Sequence, residues 1–319
     1  MTGGGGTATP TQTKEVQATA FPTVVTPDEG YALSQATVTA PANLSAENIK
    51  KDVTIAGVTG SFEGEPVGDL KAFIAGTLTA ELTISELRSY AFAEYPQPIS
   101  INIANGVTSI PNSFAQRARI NVCKIPSSVT TIGPSAFSGD RDTYNNGTFE
   151  IAEGVTSFSD GAFSNRRFKT PLRIPESVVT IGYNAFYEGG KAYFTENNNV
   201  ETIYGGAFKY GSAFNTSSAT ETLYLPKIKT ISSQGFYSAA IPKTVFLGPN
   251  ITNIESEGLR GSNSISKLII KATTPPTIAS NSFAFDSSYE IVVPVGCLAA
   301  YQSATNWAQY ADHMVEATE

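Results

Sequence analysis

KIPSSVTTIGPSAFSG (124–139) and RIPESVVTIGYNAFYEG (173–189) are two copies of one unit. Each starts on an alternation of period two, as in Leu172 and Ile174, which turns those side chains one way and Arg173 the other. Four to five such residues make a short strand. A turn holding Pro or Gly follows, then a pair of apolar residues three apart, Val129 and Ile132 or Val178 and Ile181. The unit closes on a small residue and Ala-Phe, which reads as a tight bend with one turn of 3₁₀ or α structure.

The same order recurs in NIANGVTSIPNSF (102–114), EIAEGVTSFSDGAF (150–163) and NNNVETIYGGAF (197–208). It recurs again in YLPKIKTISSQGF (224–236), FLGPNITNIESEGL (246–259) and IKATTPPTIASNSF (270–283), with SELRSYAF (85–92) a partial first copy. Aligned on the last aromatic or leucine, the copies mark Phe92, Phe114, Phe137, Phe163, Phe186, Phe208, Phe236, Leu259 and Phe283. The intervals average about 24 residues, inside the range of leucine-rich repeats. One such coil cannot bury its apolar face alone, so about nine of them predict a solenoid with a continuous core and a parallel β-sheet on one face. Each Phe is expected to pack on the Phe of the next coil.

Insertions fall at GDRDTYNNG (139–147) and KYGSAFNTSSAT (209–220), both with the composition of surface loops. IVVPVGCLAAYQSATNWAQYADHM (291–314) reads as a terminal cap, a last strand and a short helix laying Leu298, Tyr301 and Trp307 on the open core. Ahead of the repeats, KEVQATA, FPTVV and QATVTA alternate as strands, with a turn at Pro27–Gly30. Ser45 starts a short helix ending near Lys51, and VTIAGVTGSF closes as a two-stranded turn around Gly57. The domains expected are an arm at 1–14, a small β-rich module at 15–66, the solenoid at 67–290 and the cap at 291–319. The hinge into the solenoid falls at Gly64–Gly68.

The unit IP-x-SV-T-IG-x-x-AF resembles the BspA-like class of leucine-rich repeats, which occurs in bacterial surface adhesins, protist surface proteins and prophage-encoded proteins. VPVGCLAAYQSATNWAQYAD (293–312) is similar to the segment that ends many such domains. The resemblance covers roughly residues 80–316 and implies the fold, while repeat scaffolds host many partners. TPDEGYALSQATVTAP (26–41) and AENIKKDVTIAGVTGSFEG (46–64) are similar to a module recurrent in phage structural and tail-fibre proteins, with Asp52 where that module has Gly. This second resemblance implies a phage virion protein of tail-fibre, baseplate or head-fibre type. It would attach to other virion proteins through residues 1–66, as one of several identical copies. Its solenoid would meet a bacterial surface glycan or protein. The alternative is a bacterial cell-surface adhesin, and a carbohydrate-cleaving spike enzyme stands behind both.

Composition narrows the chemistry. With 21 Lys and Arg against 28 Asp and Glu the net charge is −7, so no basic field gathers nucleic acid or an anionic membrane. No apolar run is long enough to span a bilayer, and no basic segment precedes a signal-type apolar run at the N-terminus. Assembly inside a bacterial host and residence on a virion are therefore expected, with the cell surface as the alternative. One histidine, His313, and two distant cysteines, Cys123 and Cys297, leave no Cys/His zinc set, and no cofactor is expected. Gly3–Gly6 lacks the strand, helix and Lys-Ser/Thr of a phosphate loop and reads as a tether.

His313 reads as a cap residue rather than the base of a triad. Glu150, Glu153 and Asp160 form the one local acidic cluster; paired carboxylates in a groove would cleave glycans, whereas solvated loop charges would not. Cys123 aligns with Leu172 as an inward, buried position. No catalytic residue is assigned.

A surface reading remains. If the inward positions are those flanking it, the outward strand row runs Asn102, Lys124, Glu150, Arg173, Tyr224, Phe246, Ile269 and Val292. Its first half is polar and its second half apolar. Tyr224, Phe246, Ile269, Val292 and Arg173 are the candidate binding residues, because exposed apolar rows mark contact surfaces. A covering cap, loop or shifted register would remove them from that role.

Overall fold

Each repeat folds as a three-walled coil because three stretches of its backbone find partners in the next coil. In a computed structural model the chain divides into Met1–Ala80 and Glu81–Glu319. The structure describes residues 87–94, 98–139, 147–211, 222–261 and 264–318 in full, and the backbone of 11–17, 32–39, 54–55, 58–59 and 81–84.

In the first unit Thr11–Gln17 runs parallel to Ala32–Thr39, with a register shift between Gln12 and Thr13. Thr54–Ile55 and Val58–Thr59 pair antiparallel, Ile55 opposite Val58, which is the closure expected around Gly57. FPTVV, the turn at Pro27–Gly30, the helix from Ser45 and the hinge at Gly64–Gly68 lie outside the described residues.

In the second unit the first wall is a row of parallel strands. Glu81–Ile84, Ile99–Ile103, Ile120–Ile125 and Thr148–Ile151 form four; Leu172–Arg173 and Ala192–Tyr193 form a pair. Thr222–Leu225, Thr244–Leu247, Ile265–Ile270, Phe285–Val293 and Met314–Glu316 form five. Alternate residues point inward, so Ile101, Cys123 and Phe149 stand side by side in register and are all buried. Cys123 is thus the inward strand residue its alignment predicts.

The second wall adds a sheet to the parallel one expected on one face. Eight two-residue strands, from Ser109–Ile110 through Thr131–Ile132 to Thr277–Ile278, form a second parallel sheet. The Ile of each, replaced by Phe158 in one, is buried, and in six of the eight the Val or Ile three residues earlier, as in Val129 and Val178, is buried too. Serine ties this corner together. Ser128 and Ser177 accept from the amides of Gly106 and Gly154 one coil back and donate to the carbonyls of Val107 and Val155.

The third wall carries the Ala-Phe segments, and it is a ladder of double turns rather than a turn of helix. Alternate amides point to the neighbouring coil, Ser135 to Asp160, Phe137 to Ala162 and Gly139 to Ser164, while those between them close local turns. The alternation requires left-handed residues two before and two after the Phe, as at Asn184 (φ 52°) and Glu188 (φ 49°) around Phe186. Asn tolerates that region better than most side chains.

Inside, Phe137, Phe163, Phe186, Phe208 and Phe236 stack ring on ring, 5.1–5.4 Å apart and within 18° of parallel. One assignment shifts. The amide of Ala115, not Phe114, bonds to the next coil where Phe137 does in its own, so Ala115 holds the repeat position and Phe114 sits one residue early. Its ring still reaches the core, edge-on to Phe92 at 5.4 Å and to Phe137 at 5.9 Å.

At the C-terminal end, a helix at Leu298–Ser303 and a 3₁₀ segment at Ala308–His313 close the core. Trp307 and Tyr301 are fully buried; the indole donates to the carbonyl of Pro276 at 2.7 Å and the phenol to that of Ala272 at 2.8 Å. Leu298 is only half-buried, because the helix presents one residue per turn to the coil and Tyr301 takes that place. The chain then adds Met314–Glu316 as the outermost strand of the first wall.

Candidate functional site

The outward row follows from strand register. Tyr224 stands opposite Phe246, Phe246 opposite Ile269, Ile269 opposite Val292, and Val292 opposite Val315. Five strands therefore present an unbroken apolar line, half-buried at Tyr224, Phe246, Ile269 and Val292 and exposed at Val315. The rings of Tyr224 and Phe246 stack at 4.7 Å. Two residues along, Lys267 and Glu290 pair at 2.8 Å on the same face, a charged margin beside the apolar line.

Arg173 belongs to a separate strand pair, opposite Tyr193. Asn102, Lys124 and Glu150 are in register in the four-stranded sheet. The structure thus aligns the candidates within segments and interrupts the row on either side of the pair that holds Arg173. Sequence reasoning missed Tyr193 and Val315. Tyr193 could have been found from the flanking alternation of Ala192 and Phe194; Val315 could not, since only the final strand brings it into line.

The concavity of this face lies elsewhere in the row. A groove of about 640 Å³ opens among Asn102, Lys124, Phe149, Glu150, Pro171 and Arg173, where the four-stranded sheet ends and the next pair begins. Of the five candidates only Arg173 lines it. The groove mixes charged, polar and apolar lining, whereas the row from Tyr224 to Val315 is apolar throughout, so they suit different contacts.

The residues of the acidic cluster stand in three settings. Glu150 is exposed in the outward row. Glu153 sits in the following turn, 2.6 Å from the Arg173 guanidinium and accepting the Ser177 amide at 3.0 Å. Burial opposes the charge on Glu153, yet those two donors outweigh it and hold its carboxyl below the usual glutamate range. Asp160 caps the third wall, accepting the Tyr183 amide at 2.9 Å. His313 is exposed on the cap and stacks on Tyr289 at 3.9 Å.

One charged residue escaped the sequence reading altogether. Arg166 is fully buried and donates to four carbonyls: Phe137 at 2.7 Å, Ala118 at 2.9 Å, Ser138 at 3.1 Å and Ala115 at 3.2 Å. Burial pushes its pKa down to about 10, so the guanidinium remains charged at neutral pH. No spacing in FSNRRFK distinguishes Arg166 from the loop charge beside it.

The family model described as BspA type leucine rich repeat region matches in six copies across residues 141–225 and 210–304, together just over half of the 319 residues. Among solved structures, the crystal structure of the pneumococcal vaccine antigen PcpA is 17% identical, covers 74% of this chain and 84% of that one, and superposes with a TM-score of 0.27. No curated protein matches the chain.

Proposed function

The chain belongs to the BspA-type leucine-rich repeat family, and on that premise we propose that it is a non-enzymatic recognition protein whose outward strand row binds a bacterial surface glycan or protein. The observation that carries this reading is the unbroken register from Tyr224 through Phe246, Ile269 and Val292 to Val315. An apolar line of that length on a chain with net charge −7 favours contact by aromatic and aliphatic packing over charge steering.

The carrier of this recognition domain, in our reading, is a phage particle, to which residues 1–66 attach several identical copies. Support comes from the resemblance of residues 26–41 and 46–64 to phage structural modules. Copy number would then multiply weak contacts into avidity. The second reading, a bacterial cell-surface adhesin, draws on the surface adhesins in which this class of repeat occurs.

The test is binding of the labelled full-length protein, beside Phe246→Ala and Ile269→Ala, to cells of the candidate host and to particles stripped of their fibres. The proposal expects cell binding that each substitution weakens by about tenfold or more. Equal binding by all three forms would remove the row from the contact. Uptake by stripped particles supports the virion reading, and its failure with retained cell binding supports the adhesin.

A further inference from the structure

The C-terminal cap ends in an open strand edge. Met314–Glu316 is the last strand of its sheet among the described residues. The Ala317 amide donates to the carbonyl of Val293 at 2.8 Å, so alternation turns the backbone of Val315 the same way and that of Met314 and Glu316 toward the open side. The Met314 amide is taken by the carbonyl of Ala311. The Met314 carbonyl and both backbone groups of Glu316 therefore line the edge.

Sheet edges are ordinarily guarded by lysine, proline or an inward charge. Here the strand's one charged side chain is turned away: the Glu316 carboxylate accepts from the amides of Gly296 at 2.9 Å and Leu298 at 3.4 Å. Val315, 41% exposed, and Val295, 56% exposed in the turn beside that carboxylate, are left outward. Terminal repeats of a solenoid need a polar outer face to keep their ends apart. Ile291–Ala311 instead carries no Asp, Glu, Lys or Arg in 21 residues, within a chain of which 15% is charged. The exposed side chains of its helix and the following turn, Ala299, Ala300, Ser303 and Thr305, are uncharged. Two copies of a chain with net charge −7 repel one another, and a charge-free stretch is where that repulsion is weakest.

We infer that this end of the solenoid is an interface with a second copy of the chain, joined edge to edge about a twofold axis at Val315. Antiparallel pairing sets the Glu316 amide of each copy opposite the Met314 carbonyl of the other, two hydrogen bonds that satisfy both edges together. The Val315 side chains become neighbours on the outward face, and the apolar row runs on through five strands of each copy. Three residues give a foreign strand little to hold, whereas the twofold uses the short edge from both sides. What a doubled row adds to cell binding rests on the function proposed above; the dimer itself does not.

Sedimentation velocity of the full-length protein across two decades of micromolar concentration tests this inference. A monomer–dimer equilibrium is expected, weakened about tenfold or more by Val315→Lys and by Ala300→Glu, which put like charges into the contact. Both sites are exposed, so both variants should fold, which their far-ultraviolet spectra check. In a Cys297→Ser background, Val315→Cys should oxidise to a disulfide-linked dimer, because directly opposed residues of an antiparallel pair lie about 4.5 Å apart at Cα, within reach of that bond. Tyr90→Cys, 65% exposed on the first coil, is the control that should not. Phe246→Ala should weaken attachment to cells without moving the monomer–dimer equilibrium, so either reading can fail alone. The inference is overturned if the parent stays monomeric throughout, or if either folded variant dimerises as the parent does. It is equally overturned if Val315→Cys crosslinks no faster than Tyr90→Cys.

Discussion

Arg166 donates from Nε to the carbonyl of Phe137 at 2.7 Å, joining residues 29 apart in sequence on adjoining coils. Its other nitrogens reach Ala118 and Ala115, one coil further back, so a single buried side chain ties three coils. The small residues at Ala115 and Ala118 are where the Phe114 shift leaves the wall thin. The guanidinium fork supplies donors to backbone carbonyls that no water reaches.

Arg166→Lys should therefore destabilise the solenoid, because one ammonium cannot span carbonyls on two coils. Arg166→Ala takes a donor from all four carbonyls, of which Ala115 and Ser138 keep the amides of Ala118 and Arg117, and should cost about 3 kcal/mol or more. Chemical denaturation of the three forms measures both. A lysine variant within error of the parent would show that the carbonyls do not need the fork.

The phenylalanine stack makes a graded prediction. Phe186 lies between Phe163 at 5.4 Å and Phe208 at 5.1 Å, and its ring is buried. Phe186→Ala should cost about 3–5 kcal/mol through the cavity it opens. Phe186→Leu should cost about 1.5 kcal/mol or less, since Leu259 fills the same position in its own coil. Equal losses from the two would mean that stacking geometry, rather than volume, holds the coils together.

How far the sequence reveals this molecule depends on the length of each signal. The recurring Phe is legible because burying a ring on its neighbour favours it once per period, with Ala115 and Leu259 the departures. The outward row is legible because period-two alternation survives in strands of four residues or more, such as Thr222–Leu225 and Thr244–Leu247. Two-residue strands such as Thr131–Ile132 carry too little alternation to declare themselves, which hid the second sheet. Aligning on the last aromatic misplaced Phe114, whereas aligning on Ile110 and Ile132 would have put Ala115 in register. Arg166 is hidden for another reason: its role depends on which neighbour a variable position meets in the next coil, and the repeat pattern averages that away.

The two cysteines should differ in reactivity. Cys123 is fully buried, and burial pushes its thiol well above the usual range, a push that the nearby Arg166 charge only partly offsets. Cys297, at the start of the cap helix, is half-buried. Iodoacetamide on the native protein should add one group, at Cys297, and reach Cys123 only in denaturant, as peptide mass spectrometry can show. Native labelling of Cys123 at a comparable rate would mean that the first wall opens around it.

Acid should expose the work of Glu153. Its carboxyl titrates below the ordinary glutamate value because the Ser177 amide and Arg173 hold the charged form against the opposing effect of burial. The unfolded chain takes up its proton at the ordinary value and the folded chain only below it. The stabilisation is thus complete above the ordinary value and is lost as pH falls through the depressed folded one. Glu153→Gln should be less stable than the parent at neutral pH, by no more than about 1 kcal/mol because both partners are half exposed. The gap should close on acidification, and denaturation midpoints of the two forms across that range measure it. Because Arg173 lines the groove beside Glu150, the same substitution leaves Glu176, at 3.7 Å, as its remaining carboxylate partner and makes its guanidinium more available to that groove. An anionic ligand there would then bind more tightly to Glu153→Gln than to the parent, whereas unchanged affinity would assign Arg173 to the coil rather than to the contact.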